Sequence, residues 1–361
     1  MHSLIFHANL QYAEIPKKEI ERVINKSYKP TIATLLKEDI PFALNITGFS
    51  IQYLPKELIK GIKDGIESNL IEITGTSYSH AILPLLSLNR VKEQIEMDVR
   101  MKEDTLEVKP ISFWPPELAY DPILPAILKD LNFEYVFVDG EALLFSNYMN
   151  TAIKNFEIPY IKLIKASYGQ RKYLNYFLGL RQLRRSLSYV FGGKALVKGV
   201  KNIVGIPVWQ PVNITLMLSL GHFPFMNERK AARWLSSIRD IMLYGTDIEF
   251  FGYMPFAGKK IKISTLIKFI KSNNINITLP SQLPMSGREF YLKTSSWAPD
   301  KSLLIWKEDE DNRRLNMLIS GIKGDNAFMA ENSDARGWEP LPERRLDAFK
   351  AIYEEWRKEY E

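Results

Sequence analysis

Apolar positions along the chain fall into two alternating rhythms. Short, nearly continuous apolar blocks at Leu4-Ile5-Phe6, Pro41 to Ile46, Ile71 to Thr74, Ile111 to Trp114 and Glu134 to Asp139 predict strands. Between them lie segments whose apolar residues recur every third or fourth position. Pro16 to Lys37 carries Ile20, Val23, Ile24, Leu35 and Leu36; Leu54 to Gly65 carries Leu58, Ile59 and Ile62; Asn89 to Glu107 carries Val91, Ile95, Val99 and Leu106; Ile123 to Leu131 completes the set. Each predicts a helix with one buried face. Strands alternating with helices imply βαβ units and a parallel sheet, and right-handed crossovers then set His7, His80, Glu117 and Asp139 on one rim.

A basic segment, roughly residues 161–203, interrupts this rhythm with a predicted helix from Tyr173 to Phe191 that Gly192-Gly193 stops. The alternation resumes at Val204 to Trp209 and at Ser219 to Pro224. Asn227 is placed to cap a helix from Glu228 to Leu243, with Ala231, Leu235, Ile238 and Met242 on one face. Tyr244 to Tyr253, a helix from Ile261 to Lys271 and a strand from Ile275 to Leu279 follow. Beyond Pro280 come loops, then helices at Leu315 to Ile322 and Pro342 to Tyr360. The expected organisation is a barrel over residues 1–285, with 286–361 as a C-terminal loop and helical region packed on it.

Composition narrows the chemistry. The chain has 361 residues, 46% hydrophobic and 25% charged, which is ordinary for a globular protein. No apolar run reaches the roughly 18 residues a membrane-spanning helix needs, and the start lacks the features of a signal peptide, so a cytoplasmic protein is expected. With no cysteine, disulfides, iron–sulfur clusters and thiolate zinc sites are excluded, a composition common among intracellular thermophile proteins. The four histidines, His2, His7, His80 and His222, leave few options for a metal. The net charge of +6 hides an asymmetry: no acidic residue lies between Glu157 and Glu228, so no carboxylate chemistry can come from that region. Its lysines and arginines read as the solvated face of an inserted helical segment, and neither nucleic acid nor a membrane is the expected partner.

Two acidic motifs remain. In Trp114-Pro115-Pro116-Glu117-Leu118-Ala119-Tyr120-Asp121-Pro122 the prolines fix φ and restrict their predecessors, so Glu117 has a set direction between aromatic rings. A rigid anion beside rings suits an oxocarbenium-like transition state and the apolar faces of a sugar. A Pro-rich surface turn is the alternative. Asp247 and Glu249 sit two apart among Phe250, Phe251 and Tyr253. Partial desolvation there would raise a carboxyl pKa and suit it to donate a proton near neutral pH.

These residues resemble glycoside hydrolase family 57, retaining enzymes acting mostly on α-glucans. His7-Ala8-Asn9-Leu10-Gln11, Thr74 to Leu86, Trp114 to Tyr120, Thr246 to Gly252 and Leu279-Pro280-Ser281-Gln282 follow the order of the family's five regions. The usual Gln-Pro after the first histidine is missing, and Phe251-Gly252-Tyr253 stands where Phe-Gly-His-Trp is frequent. Ser295 to Ala298 and Ala330 to Ala335 resemble C-terminal family segments. The resemblance implies a distorted (β/α)7 barrel with a C-terminal helical part, Glu117 as nucleophile and Asp247 as general acid/base. It also implies sugar contacts from His7, Asn9, His80, Trp114, Tyr120, Arg185, Trp209, Glu249, Tyr253 and Trp297, with no cofactor and no metal.

Three readings differ in class. One is a retaining hydrolase of starch, glycogen or maltooligosaccharides, with 4-α-glucanotransferase and α-galactosidase activity as variants of the same scaffold. A metal-dependent hydrolase of the polysaccharide deacetylase type would need His and Asp ligands, and the N-terminal Asp pair of such enzymes is absent. A binding protein that meets nucleic acid or a membrane leaves the two carboxylate motifs without a purpose. For the retaining reading the carboxyls of Glu117 and Asp247 should lie about 5–5.5 Å apart.

Overall fold

The structure, a computed structural model, describes residues 1–11, 15–147, 190–223, 227–298, 301–322, 324–337 and 340–360. Residues 148–189, with Arg185 and most of the expected helix from Tyr173 to Phe191, lie outside the described residues.

Seven parallel strands form a distorted (β/α)7 barrel. They are β1 (His2–Ala8), β2 (Phe42–Ile46), β3 (Ile71–Gly75), β4 (Ser112–Phe113), β5 (Tyr135–Asp139), β7 (Val204–Val208) and β8 (Ile241–Asp247), in the spatial order β8-β1-β2-β3-β4-β5-β7. β6 (Lys194–Val197) adds antiparallel to β7, and β9 (Met285–Phe290) pairs with β6. β1 and β2 are buried along their whole length, as strands covered on both faces must be.

Side chains alternate between two cores. On β1, Leu4 and Phe6 join the large outer core under the helices, while Ile5 packs inside the barrel with Ala43, Trp114, Tyr135, Phe137, Ile206 and Val208. The period of two therefore turns His7, Asn45 and Asp247 toward the inside at the strand ends; His7 is in register with both Asn45 and Asp247. The crossover helices include Lys56–Glu67 and Leu88–Leu106, and helix Ile263–Ser272 follows β8. Among the described residues no helix is long and apolar enough to cross a membrane.

The barrel closes by an unusual device. β7 and β8 are neighbours but share no strand ladder among the described residues. Asn213, in the first turns of helix Gln210–Leu220, fills the gap: its Nδ2 donates to the Gly245 carbonyl at 2.8 Å, and its Oδ1 accepts from the Gly245 N–H at 3.0 Å. Gly245 has to be a glycine here, since a Cβ would lie 2.8 Å from Val208 Cγ1.

Helix Leu88–Leu106 carries a fully buried ion pair. Lys102 Nζ lies 2.6 Å from Asp98 and 2.8 Å from the Thr74 carbonyl, while Asp98 accepts from the Gly48 and Thr76 N–H groups at 2.8 and 2.9 Å. This pair fastens the helix to the loops after β2 and β3.

Several expectations are corrected. The helix expected from Glu228 to Leu243 stops at Ser237, and Met242 and Leu243 belong to β8, because a short buried apolar run has no periodicity to separate helix from strand. Ile275 to Leu279 is not a strand; Ile277 makes an isolated bridge to His2. Ser219 and Leu220 end the helix Gln210–Leu220, which is buried nearly all round and so lacks the stripe that announces an amphipathic helix.

Candidate active site

The rim holds a cluster of four carboxylates and two imidazoles. Glu117 sits on a single 3-10 turn after Pro115-Pro116, in the left-handed region (φ 59°), and its side chain is 15% exposed. His80, on the loop after β3, is also left-handed at φ 59°. Such conformations cost non-glycine residues energy and persist where the surroundings impose them. Two C-terminal segments supply the constraint. Trp297 N–H donates to the Glu117 carbonyl at 3.0 Å, and Ser333 N–H donates to the His80 carbonyl at 2.9 Å.

The same segments grip the side chains. Trp297 Nε1 donates to Glu117 Oε2, and Ser333 Oγ lies 3.4 Å from Glu117 Oε1. His80 Nδ1 lies 2.7 Å from Ser333 Oγ and 3.1 Å from Asp334 Oδ2, which also accepts from Asn9 Nδ2 at 2.6 Å. Arg90 and Gln94 hold the buried Glu331 just before this segment, and Arg344 Nη2 donates to the Leu10 and Ile15 carbonyls. His7 stacks on His80 at 4.7 Å. Its Nδ1 contacts Asn45 Oδ1 at 2.5 Å, an orientation fixed by Asn45 Nδ2 donating to the Thr74 and Gly75 carbonyls.

β8 ends in Asp247. Tyr244 Oη donates to the Asp247 carbonyl at 2.6 Å and Ser27 Oγ to the Ile248 carbonyl at 2.7 Å. Glu249, 1% exposed, takes a hydrogen bond from Tyr28 Oη and one from the Asn9 N–H at 3.4 Å.

Proton affinities follow from crowding acids in a largely buried site. Burial first, then Glu249 and Glu117, hold Asp247 well above the usual carboxylate range. Burial raises Glu249 to about 7 against the pull of Tyr28 and backbone N–H donors. Glu117 is raised by burial, with His80 and the Trp297 and Ser333 hydrogen bonds working the other way. For His80, burial opposes the charge, but Asp334, then Glu117 and Asp247, outweigh it and the net shift is upward. Burial and the neighbouring His80 push His7 down to about 3, so it stays neutral. Burial thus raises both Asp247 and Glu117, and the neighbouring acids add to the rise at Asp247, a setting that suits a carboxyl to donate a proton.

The other expected sugar contacts divide. Trp297 and Asn9 lie in the cluster. Trp114 runs nearly parallel to His7, with centroids 6.2 Å apart, but is 5% exposed and packs inside the barrel. Trp209 and Tyr120 are corrected to core residues. Trp209 is fully buried, with Nε1 donating to the Phe191 carbonyl, and Tyr120 is 1% exposed in the outer core, so neither offers a ring face to a sugar. Tyr253 Oη points to Glu19 at 3.5 Å. The segment Leu279 to Gln282 lies at the opposite end of the barrel: Ser281 N–H meets Glu72, near the start of β3, and Thr278 meets Ser3 of β1. Ser333 and Asp334 come to the cluster instead. Their signal in the sequence is the segment Ala330 to Ala335, whose polar run Asn332-Ser333-Asp334 is buried.

Among the described residues, His80, Glu117 and Asp334 could each bring one ligand atom within 4.8 Å of the others, as a metal would need. Their facing atoms are already engaged by Asn9, Ser333 and Trp297, which fits a hydrogen-bonded cluster better than a cation cage.

The family model described as Glycosyl hydrolase family 57 matches residues 3–291, and the chain belongs to that family. The fold is similar to 4-alpha-glucanotransferase from Thermococcus litoralis, with a TM-score of 0.68 and 16% identity, covering 99% of this chain and 59% of that one. It is also similar to a GH57-type branching enzyme from Pyrococcus horikoshii (TM-score 0.68, 12% identity, 98% and 88% covered) and to the alpha-amylase AmyC from Thermotoga maritima (TM-score 0.65, 14%, 98% and 92%). A curated relative from Methanocaldococcus jannaschii, provisionally named an alpha-amylase, is 27% identical over 135 residues, 35% of this chain and 29% of its own length. The chain thus spans less than a third of that relative and less than two thirds of the glucanotransferase.

Proposed function

We propose that this chain is a retaining glycoside hydrolase acting on α-glucans, with Glu117 as nucleophile and Asp247 as acid/base. The observation that supports it most directly is that these two carboxyls, 130 residues apart in sequence, meet in one cluster at the barrel rim, where burial, Glu249 and then Glu117 raise the proton affinity of Asp247. A Glu117 oxygen attacks the anomeric carbon, the glycosidic C–O bond breaks, and Asp247 gives its proton to the leaving oxygen. Asp247 then takes a proton from water, whose oxygen releases Glu117 from the glycosyl ester. A sugar hydroxyl in place of water gives transfer through the same intermediate. Among the described residues, the buried Nε2 atoms of His7 and His80 have no partner, a demand that hydroxyls or bound water would meet. Residues 286–361 close this catalytic unit as a region packed on the barrel.

Incubation with maltoheptaose tests the reaction: shorter products alone mean hydrolysis, and longer ones mean transfer. Azide tests the roles. Glu117→Gly should be nearly inactive and recover with azide as the inverted β-glycosyl azide, whereas Asp247→Ala should give the retained α-azide. Full activity of Glu117→Gly, or exchanged stereochemistry, would overturn the assignment.

A further inference from the structure

The helix after β1 is not a regular α-helix. It begins as Ile20–Val23, passes through a π-helical turn at Ile24–Tyr28, and resumes as Lys29–Lys37. Pro30 lacks the N–H that would return to the Lys26 carbonyl. That carbonyl instead lies against Gly252, 2.2 Å from where a Cβ would sit, at a backbone φ of +94° that also favours glycine. The wide turn presents two successive hydroxyls to the Asp247–Glu249 loop: Ser27 to the Ile248 carbonyl, and Tyr28 to Glu249 Oε1. Both residues are buried, Ser27 fully. Single π turns of this kind recur at functional sites because the extra residue redirects side chains.

Resting on the reading of Asp247 as acid/base, we propose that Tyr28 is a positioning residue that fixes the negative charge on Glu249, and so keeps the proton of the acidic pair on Asp247. Glu249 has one oxygen engaged by Tyr28 and the Asn9 N–H, and its buried Oε2 has no partner among the described residues. Both donors favour the charged form. The groups facing the pair are Tyr28 and Ser27 from the π turn, Asn9 from the end of β1, Tyr244 from β8, Glu117 and His80 from the rim loops, and Asp334 from the C-terminal segment. Tyr28 itself cannot ionise near neutral pH, since burial and Glu249 hold its hydroxyl well above its ordinary range. It can only donate. An anionic Glu249 then repels a second charge, and Asp247 retains its proton.

Tyr28→Phe removes the donor and keeps the ring. Glu249 then holds its proton more tightly, Asp247 loses its anionic neighbour, and the acid ionises at lower pH. The basic limb of kcat/KM on maltoheptaose should move down by about one unit or more, a loss of about tenfold at a fixed pH above the limb. Activity at low pH on an aryl α-glucoside with a good leaving group should be retained, because that step needs little protonation. Glu249→Gln should move the limb the same way, and Tyr28→Phe added to it should move it no further. A uniform fall in kcat/KM with an unmoved limb, or additive shifts in the double variant, would overturn the proposal and leave Tyr28 as packing. If Asp247→Ala kept the wild-type basic limb, the acid/base reading itself would fail and carry this inference with it, an outcome read on a different variant.

Discussion

Replacing Lys102 by Met removes the cation from a pair in which both side chains are fully buried. Met matches the length of the stem, so packing changes little, but Asp98 is left facing the Gly48 and Thr76 N–H groups with no counter-charge. Burial already raises Asp98, with Lys102 pulling the other way, and burial lowers Lys102. Without Lys102, Asp98 should fold in its protonated form. Its cost is then the work of protonating a carboxyl whose unfolded value is about 3.9. At pH 7 that is about three units at about 1.4 kcal/mol each, or about 4 kcal/mol, within the roughly 3–5 kcal/mol typical of breaking a buried pair. Because the folded pKa is raised, the penalty is absent below the unfolded pKa and grows as pH rises toward the folded one. Urea unfolding of Lys102→Met against wild type should show a large drop in midpoint at about pH 7.5 and a much smaller one at about pH 4.5. Lys102→Met with Asp98→Asn carries neither charge and should lose the pH dependence. Equal destabilisation of Lys102→Met at both pH values would refute the reasoning.

Trp209→Ala should cost about 3–5 kcal/mol of stability, since the ring is fully buried against Phe191 and Gly140, yet leave KM for glucan unchanged in the folded protein; a raised KM with unchanged unfolding would restore it as a sugar contact. Exhaustive EDTA treatment should leave kcat/KM unaltered, because the cluster's facing atoms are hydrogen-bonded to protein groups; activity lost to chelation and restored by zinc would favour a metal-dependent hydrolase.

The barrel was legible because its strands are short apolar blocks and its helices carry stripes at helical spacing, as in Leu88–Leu106. Glu117 and Asp247 stood out because stiff or aromatic neighbours marked them, and the structure brings both to the rim. Trp209 and Tyr120 misled because residue type does not tell which face of the wall a ring occupies. Ser333 and Asp334 reach the cluster through contacts with His80 more than 250 positions away, which no local spacing encodes. Tyr28 falls at an apolar position of a helical pattern and reads as core. Its hydroxyl matters only because a π turn aims it, and period counting cannot see one extra residue in a turn. Leu279 to Gln282 shows the reverse error: a short motif in the right order, folded to the far end of the barrel.

The closure at Asn213 bears on how much freedom the wall has. β8 is laddered to β1 on one side, while on the other a single carboxamide makes the two bonds that a whole strand would otherwise supply. Among the described residues, β8 is in hydrogen-bonding terms an edge strand inside a closed circumference. Past Gly245 its outer side is held by side chains, and Asp247 lies two residues beyond that clasp. On the proposed roles, the carboxyl that passes the proton thus sits on the strand clasped on its β7 side by one side chain, while Glu117 is pinned by Trp297 and Ser333. The two carboxyls are therefore mounted by different means, one by side chains reaching in from the C-terminal segments and the other by the last strand of the wall.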